Sequence, residues 1–224
     1  MGLGRSRAAT LLRGPAAGAT FLLLLAVGAA AQDLRDPRDY LRRNGGAPPE
    51  NGAITICHAY GCGRTTRIRL DDADLAMIRR MMAPGAASAE AERVAVAYVI
   101  AAMETKVGAM TGTSADRDYR DLASGGDPTQ MDCIDEAANS TSYLLLLDQL
   151  GLLRHHGVAY PASKGFLIDF VYPHNTAVLA ERATGRRYAV DSWVFRNGEK
   201  PIVVPLETWY ATRSASFYRQ RHGV

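Results

Sequence analysis

Three side chains in the second half of the sequence, Cys133, His174 and Asp191, have the types and the order that nucleophilic catalysis requires. Cys133 falls in the first turn of a predicted long helix, and a helix N-terminus stabilises the thiolate, which is the nucleophilic form of cysteine. Asp135 and Glu136 lie in the same turn and oppose ionisation of the thiol. A neighbouring base is therefore needed.

His174 and Asp191 would supply that base. His174 opens one predicted strand and Asp191 ends the next, so adjacent antiparallel strands would place their side chains side by side. The carboxylate would then orient the imidazole, and the imidazole would take the proton of the thiol. Directly opposite pairing needs a reversal centred between Arg182 and Ala183, whereas Thr184-Gly185 favours a slightly later turn. The strand register stays open at this point.

The other two cysteines lie only five residues apart, between two runs with the composition of strands, Ala53–Cys57 and Thr65–Leu70. Glycines between the runs give the turn the freedom that a hairpin needs. In an oxidising compartment, a disulfide between Cys57 and Cys62 that closes this loop is the simplest interpretation. The alternative is a metal site formed by the two cysteines and His58, but no fourth ligand is evident.

The hydrophobic pattern predicts the elements that position these residues. Apolar residues recur at three- and four-residue steps in the segments that we predict as helices, which are Ala73–Met82, Ala89–Met110 and Cys133–His155. Short runs rich in Val, Phe and Tyr are predicted as strands, which are Gly165–Tyr172, Asn175–Glu181, Arg187–Val194 and Pro201–Val204. Helices followed by an antiparallel sheet indicate an α+β fold in one domain, residues 53–224, after an irregular lead-in over residues 32–52.

The end of the third predicted helix contains two histidines. His155 and His156 fall in its last turn, and Gly157 is the predicted C-cap. Basic side chains are favoured at a helix C-terminus by the helix dipole. We therefore interpret both histidines as end residues of the helix and not as ligands.

The first 31 residues have the layout of a secretory signal peptide. Arginines precede the apolar run Phe21–Val27, and an Ala29-x-Ala31 cleavage site precedes Gln32. The alternative is an uncleaved anchor, but the charge-free stretch is short of the roughly 20 strongly apolar residues of a membrane span. The chain has 26 basic and 23 acidic residues, and three of the arginines lie in this segment. The mature protein is therefore predicted to be close to neutral, periplasmic or secreted, without a nucleic-acid partner and without stable membrane insertion.

The segments around the candidate catalytic residues resemble a known family. Asp132-Cys133-Ile134-Asp135-Glu136-Ala137, with a Leu-rich run after it, is similar to the nucleophile helix of the bacterial transglutaminase-like cysteine peptidases. His174-Asn-Thr-Ala-Val-Leu-Ala and Ala189-Val190-Asp191-Ser192 resemble the His and Asp strands of that family. The resemblance covers about residues 90–195. It implies a papain-like core in which Cys133 attacks an amide carbonyl, His174 acts as base and then as acid, and Asp191 orients the imidazole.

The resemblance also has implications for the surroundings of the nucleophile. The oxyanion donors would be the backbone amide of Cys133 and one side chain, for which Gln130 is the nearest candidate. Some members bind calcium through acidic residues that flank the nucleophile. Asp132 matches one of these acids, but the residue after the nucleophile is Ile134, so we expect no cofactor.

The function that the resemblance implies is a thiol-dependent peptidase or amide acyl-transfer enzyme. Its substrate would be a protein or a peptide, and it would use Cys133, His174 and Asp191 as a catalytic triad. The alternative is a catalytically silent module of the same fold that binds a peptide or a cell-envelope component. A thiol-reactive probe on the pure protein distinguishes the two.

Overall fold

Helices and antiparallel strands build this chain, for which a computed structural model describes residues 1–2, 35–117, 127–165 and 173–212. In chain order the elements are α1 (Pro37–Arg43), β1 (Ala53–His58), β2 (Arg64–Arg69), α2 (Asp72–Met82), α3 (Ala89–Thr111), α4 (Cys133–Gln149), β3 (His156–Lys164), β4 (His174–Glu181), β5 (Arg187–Asp191), β6 (Ile202–Pro205) and α5 (Leu206–Ala211). A short 3₁₀ helix, Ala83–Ala87, joins α2 to α3. This mixture of helix and sheet is what the α+β prediction requires.

The described strands form two sheets. Strands β1 and β2 make an antiparallel hairpin, and the other sheet has the order β3-β4-β5-β6 with every neighbouring pair antiparallel. Helix α4 packs against β1 on one side and β4 on the other, and Ile54, Leu144 and Leu179 from these elements share one buried core. Helix α4 is thus held between the hairpin and the sheet.

Helix α4 begins where the sequence predicts and ends earlier. Asp132 accepts hydrogen bonds from the backbone N–H groups of Ile134 and Asp135, and the Asp135 carboxylate accepts one from Asp132 in return. The helix ends at Gln149, so the predicted continuation to residue 155 is wrong. The chain turns at Gly151, which has a left-handed φ of 68° that glycine adopts at no steric cost.

Residues after this turn form a strand that the sequence analysis did not predict. His156 is the first residue of β3, so its assignment to a helix end is wrong, as is that of Gly157 as a C-cap. Gly165, the first residue of the predicted strand over 165–172, has no regular structure, and residues 166–172 lie outside the described residues. Strand β3 ends at Lys164, directly before the predicted strand.

The predicted lead-in over residues 32–52 contains a helix as well. Asp36 accepts a hydrogen bond from the backbone of Arg38 and begins α1, whose Tyr40 and Leu41 are buried against α4. The segment is therefore irregular only in part. The predicted signal peptide, residues 1–31, lies outside the described residues except for its first two.

Helix α3 is, among the described residues, long and apolar enough to cross a membrane by length and composition alone. Its side chains Val96, Val99, Ile100 and Met103 are buried in the same core as α2 and α4. It begins at Ser88, whose hydroxyl accepts a hydrogen bond from the backbone of Ala91. These contacts are those of the central helix of a folded domain.

Candidate active site

His174 and Asp191 lie together at the first residue of β4 and the last residue of β5. The ladder pairs Ala177 with Val190, which places Asp191 diagonally across from His174. Diagonal neighbours of an antiparallel pair share a face of the sheet. His174 Nε2 lies 2.6 Å from Asp191 Oδ2, and both side chains are buried. The turn between β4 and β5 thus lies later in the sequence than direct pairing of His174 with Asp191 would require, but the two side chains still contact each other.

Two tryptophans fix the imidazole and its carboxylate. The indole N–H of Trp209 donates to the same Asp191 Oδ2 at 2.8 Å. The His174 ring stacks on Trp193 with 4.6 Å between centroids and 28° between planes, and Trp209 lies 5.3 Å away. These rings hold the pair in one orientation and exclude water from it. The sequence gives no local signal for the Trp209 contact, because this residue is 18 positions beyond Asp191.

Cys133 is the first residue of α4, and its sulfur lies beside the main chain that carries His174. The thiol donates to the carbonyl oxygen of Pro173 at 3.7 Å, and the sulfur accepts a hydrogen bond from Asn175 Nδ2 at 3.5 Å. The Nδ1 atom of His174 is buried without a hydrogen-bond partner in the described structure, so the thiol does not bond to the imidazole. Of the three predicted site residues, His174 and Asp191 are thus hydrogen-bonded to each other, and Cys133 contacts the two chain neighbours of His174.

The environment of Cys133 keeps its thiol protonated. Burial, together with the smaller effect of the nearby carboxylates of Asp132 and Asp191, raises the pKa of this thiol to about 12, although hydrogen bonding from Asn175 acts to lower it. Only 5% of the residue is exposed. The helix N-terminus alone does not generate a thiolate here, so a reaction at neutral pH requires a base.

The acids of the first helical turn are buried and hydrogen-bonded. Asp135 accepts hydrogen bonds from the backbone N–H groups of Tyr60 and Cys62 at 2.9 and 2.6 Å, and Glu136 accepts one from the Ser192 hydroxyl at 2.6 Å. Burial raises the pKa of both carboxyls to about 7. The raised pKa values favour the uncharged form of both carboxyls, which weakens their predicted opposition to a thiolate at Cys133.

The predicted disulfide between Cys57 and Cys62 is confirmed, and it closes the loop of the β1–β2 hairpin. The sulfurs lie within 4.8 Å of the Asp135 carboxylate, but they are bonded to each other and are therefore not thiolate ligands. The His58 ring bonds the Pro128 carbonyl and the Thr66 hydroxyl. These contacts favour the disulfide over the metal site that was its alternative.

The Gln130 side chain is engaged away from the nucleophile. Its amide nitrogen donates to the carbonyl oxygens of Ala115 and Thr129, and its amide oxygen accepts from the backbone N–H of Arg117. These contacts leave neither amide hydrogen for a substrate oxygen, so they do not support its predicted oxyanion role. Asp132, the calcium candidate of the resemblance, uses Oδ1 as the N-cap of α4.

Comparisons with known proteins give no match from which a function can be inferred. No protein-family profile matches the chain, and neither the curated proteins nor the solved structures contain a significant match to it. The site is therefore interpreted from its own contacts.

Proposed function

We propose that this protein is an exported thiol-dependent hydrolase or acyltransferase that acts on amide bonds of proteins or peptides. The observation that carries the proposal is the state of the His174 ring. Its Nε2 bonds Asp191, its buried Nδ1 has no hydrogen-bond partner among the described residues, and Cys133 Sγ contacts the main chain of Pro173, the residue before His174. A ring oriented in this way donates Nε2–H to the carboxylate and keeps a lone pair on Nδ1. It is a base with one open position.

The chemistry follows the order of an acyl transfer. The thiol of Cys133 gives its proton to His174 Nδ1, and the sulfur bonds to the amide carbon while the carbonyl π pair moves to the oxygen. The intermediate collapses, the C–N bond breaks, and the imidazolium protonates the leaving amine. Water or an amine then attacks the thioester, gives a proton to Nδ1 and releases the sulfur. Asp191 stabilises the imidazolium in both halves.

The helix start and the side-chain rotation complete this mechanism. The N–H of Cys133, at the first position of α4, has no intrahelical acceptor and is a donor for the acyl oxygen. The mechanism requires the thiol to leave the Pro173 carbonyl and approach Nδ1, which rotation of the Cys133 side chain would provide. Catalytic hydrogen bonds often form only when substrate is bound.

The wider architecture supports the resemblance to transglutaminase-like peptidases. A cysteine begins a buried helix, and a histidine and an aspartate on adjacent strands of an antiparallel sheet lie at that helix. This is the order that a papain-like core has. The Cys57–Cys62 disulfide suits an oxidising compartment and supports the assignment to the periplasm or the exterior.

A second function, a silent module that binds a peptide or an envelope component, is favoured by one observation. The thiol of Cys133 is buried, its pKa is raised to about 12, and it bonds a backbone carbonyl. Free buried cysteines in such contacts are often inert. The two functions differ in whether the sulfur forms a covalent bond with an acyl group.

Acylation by p-nitrophenyl acetate tests this difference. Cys133 is the one cysteine of the three that the disulfide leaves free, so covalent modification of a thiol reports on it alone. We expect a burst of p-nitrophenolate of one equivalent per protein and an acetyl group on Cys133, both absent from Cys133→Ser. A wild-type protein that releases p-nitrophenolate no faster than Cys133→Ser would overturn the proposal.

A further inference from the structure

Asn175 follows His174 in β4 and contacts the sulfur of Cys133 through its side chain. Its Nδ2 lies 3.5 Å from Sγ and donates a hydrogen bond to the sulfur. The thiol hydrogen itself is donated to the Pro173 carbonyl oxygen. The sulfur therefore accepts from Asn175 while its own hydrogen is bonded elsewhere.

The orientation of the Asn175 amide is fixed by the neighbouring strand. Ser163 pairs directly with Asn175 in the β3–β4 ladder, and its hydroxyl donates to Asn175 Oδ1. With the amide oxygen held by Ser163, the amide nitrogen is directed at the sulfur. The donor is therefore in place before the thiol ionises, and ionisation requires no reorganisation of it.

The charges that face the sulfur explain why such donors matter. Asp132 from the helix N-cap and Asp191 from β5 both oppose a negative charge on Cys133, as does burial of the thiol. Tyr40 from α1 also faces it and stays protonated, because burial raises the pKa of its phenol above the usual range. Hydrogen bonds to a thiolate are charge-assisted and stronger than those to a neutral thiol. Donors to the sulfur therefore favour the ionised form.

We propose that Asn175 is a catalytic residue whose side-chain amide binds the thiolate of Cys133, with Ser163 as its positioning residue. Its catalytic meaning rests on the function proposed above, but its contact with the sulfur does not. His174 takes the proton of the thiol, and Asn175 holds the negative charge that remains.

Iodoacetamide labelling of Cys133 tests the role of Asn175, because alkylation needs the thiolate and no acyl transfer. We expect Asn175→Ala to label on the order of tenfold more slowly at neutral pH, with the rate–pH profile moved to higher pH. Asn175→Asp keeps the size of the side chain and brings a carboxylate to the sulfur, so its labelling slows further. Ser163→Ala frees the amide and slows labelling by about threefold.

Thermal melting of the same preparations shows whether each variant is folded. Labelling of folded Asn175→Ala within about twofold of the wild-type rate would overturn the proposal. If Asn175→Ala does not fold, Asn175→Asp carries the test, and a rate equal to that of the wild type overturns the proposal in the same way. The p-nitrophenyl acetate burst separates the two claims. A protein without a burst in which Asn175→Ala still slows alkylation contradicts the proposed function and supports the thiolate contact.

Discussion

Two buried histidine–carboxylate pairs in this fold have almost the same geometry and different surroundings. His156 Nδ1 lies 2.8 Å from Glu92 Oε1, and His174 Nε2 lies 2.6 Å from Asp191 Oδ2. Each histidine is the first residue of its strand, β3 or β4. Distance and burial alone would assign the same role to both.

The His156 pair has a partner for each of its nitrogen and oxygen atoms. Arg93 donates to His156 Nε2 at 3.2 Å, and the Glu92 carboxylate also accepts from the backbone N–H groups of Arg154, His155 and His156. This pair therefore fixes the turn that leads into β3. Because burial lowers the pKa of His156, the ring is neutral in the fold at neutral pH.

Among the described residues, the His174 pair makes fewer hydrogen bonds than the His156 pair. His174 Nδ1 and Asp191 Oδ1 are buried without hydrogen-bond partners in the described part of the chain. Such atoms cost stability, and they persist where a function requires them. The proposed function therefore depends on the unpartnered nitrogen of His174 and not on the histidine–carboxylate contact, which both pairs share.

Replacement of each histidine is expected to give the largest difference between the two pairs in acylation rate and in stability. We expect His174→Ala to acylate Cys133 with p-nitrophenyl acetate about 10²- to 10⁴-fold more slowly while remaining folded, because the sulfur loses its base. His156→Ala should lower the free energy of unfolding by about 2–4 kcal/mol, because the buried Glu92 carboxylate loses its partner. The folded fraction of His156→Ala should acylate at the wild-type rate. Equal losses of rate in the two variants would contradict the comparison.

Replacement of each carboxylate gives the next contrast. Asp191→Asn is nearly isosteric and no longer stabilises an imidazolium, so we expect acylation to slow by about 10- to 1000-fold with little change in melting temperature. Glu92→Gln should show the reverse, a melting temperature lowered by several degrees and an unchanged rate per folded molecule, because its backbone N–H partners lose a charged acceptor. An active, stable Asp191→Asn protein would remove Asp191 from the site.

Removal of the indole donor gives a smaller effect. Trp209→Phe keeps an aromatic ring against His174 and removes the hydrogen bond from Nε1 to Asp191 Oδ2. The carboxylate is then held less firmly, so we expect acylation to slow by about three- to tenfold. Kinetics with p-nitrophenyl acetate measure this, and melting curves show whether packing is retained. A rate above that of the wild type would contradict a positioning role for Trp209.

The pH dependence of stability gives the smallest contrast. The pKa of His156 lies below its ordinary 6.5 in the folded protein, so the unfolded chain binds this proton more readily. The stability that neutral His156 contributes is therefore complete above pH 6.5 and decreases as the pH falls below that value. Denaturant unfolding of wild type and His156→Asn should show a difference in free energy that shrinks on acidification. A difference that grows on acidification would contradict a buried, neutral His156.

Local sequence signals explain which parts of the fold the sequence predicts. Asp71 and Ser88 are the N-caps of α2 and α3, which begin within one residue of the predicted starts at Ala73 and Ala89. The five-residue spacing of Cys57 and Cys62 predicts their disulfide. The end of α4 was missed because its leucine run continues beyond Gly151, and only the backbone shows which glycine turns the chain.

Some contacts of the candidate site follow from local sequence patterns, and others join residues that are far apart in the sequence. The meeting of His174 and Asp191 follows from strand order, but its diagonal register depends on the length of the turn between the strands. The contacts of Trp209 with Asp191 and of Gln130 with Ala115 join residues far apart in sequence, so no local pattern predicts them. The role of Asn175 has one local signal, its position next to the predicted base.

The role of His174 as the base is tested most directly by the rate at which iodoacetamide alkylates Cys133. This rate is measured as a function of pH in wild type and in His174→Ala, with His155→Ala as a control for loss of a more exposed histidine. We expect wild type and His155→Ala to label at least about tenfold faster than His174→Ala at neutral pH. We also expect the rate–pH profile of His174→Ala to move toward the raised pKa of the buried thiol. Coincident profiles for wild type and His174→Ala would contradict the claim that His174 is the base of this site.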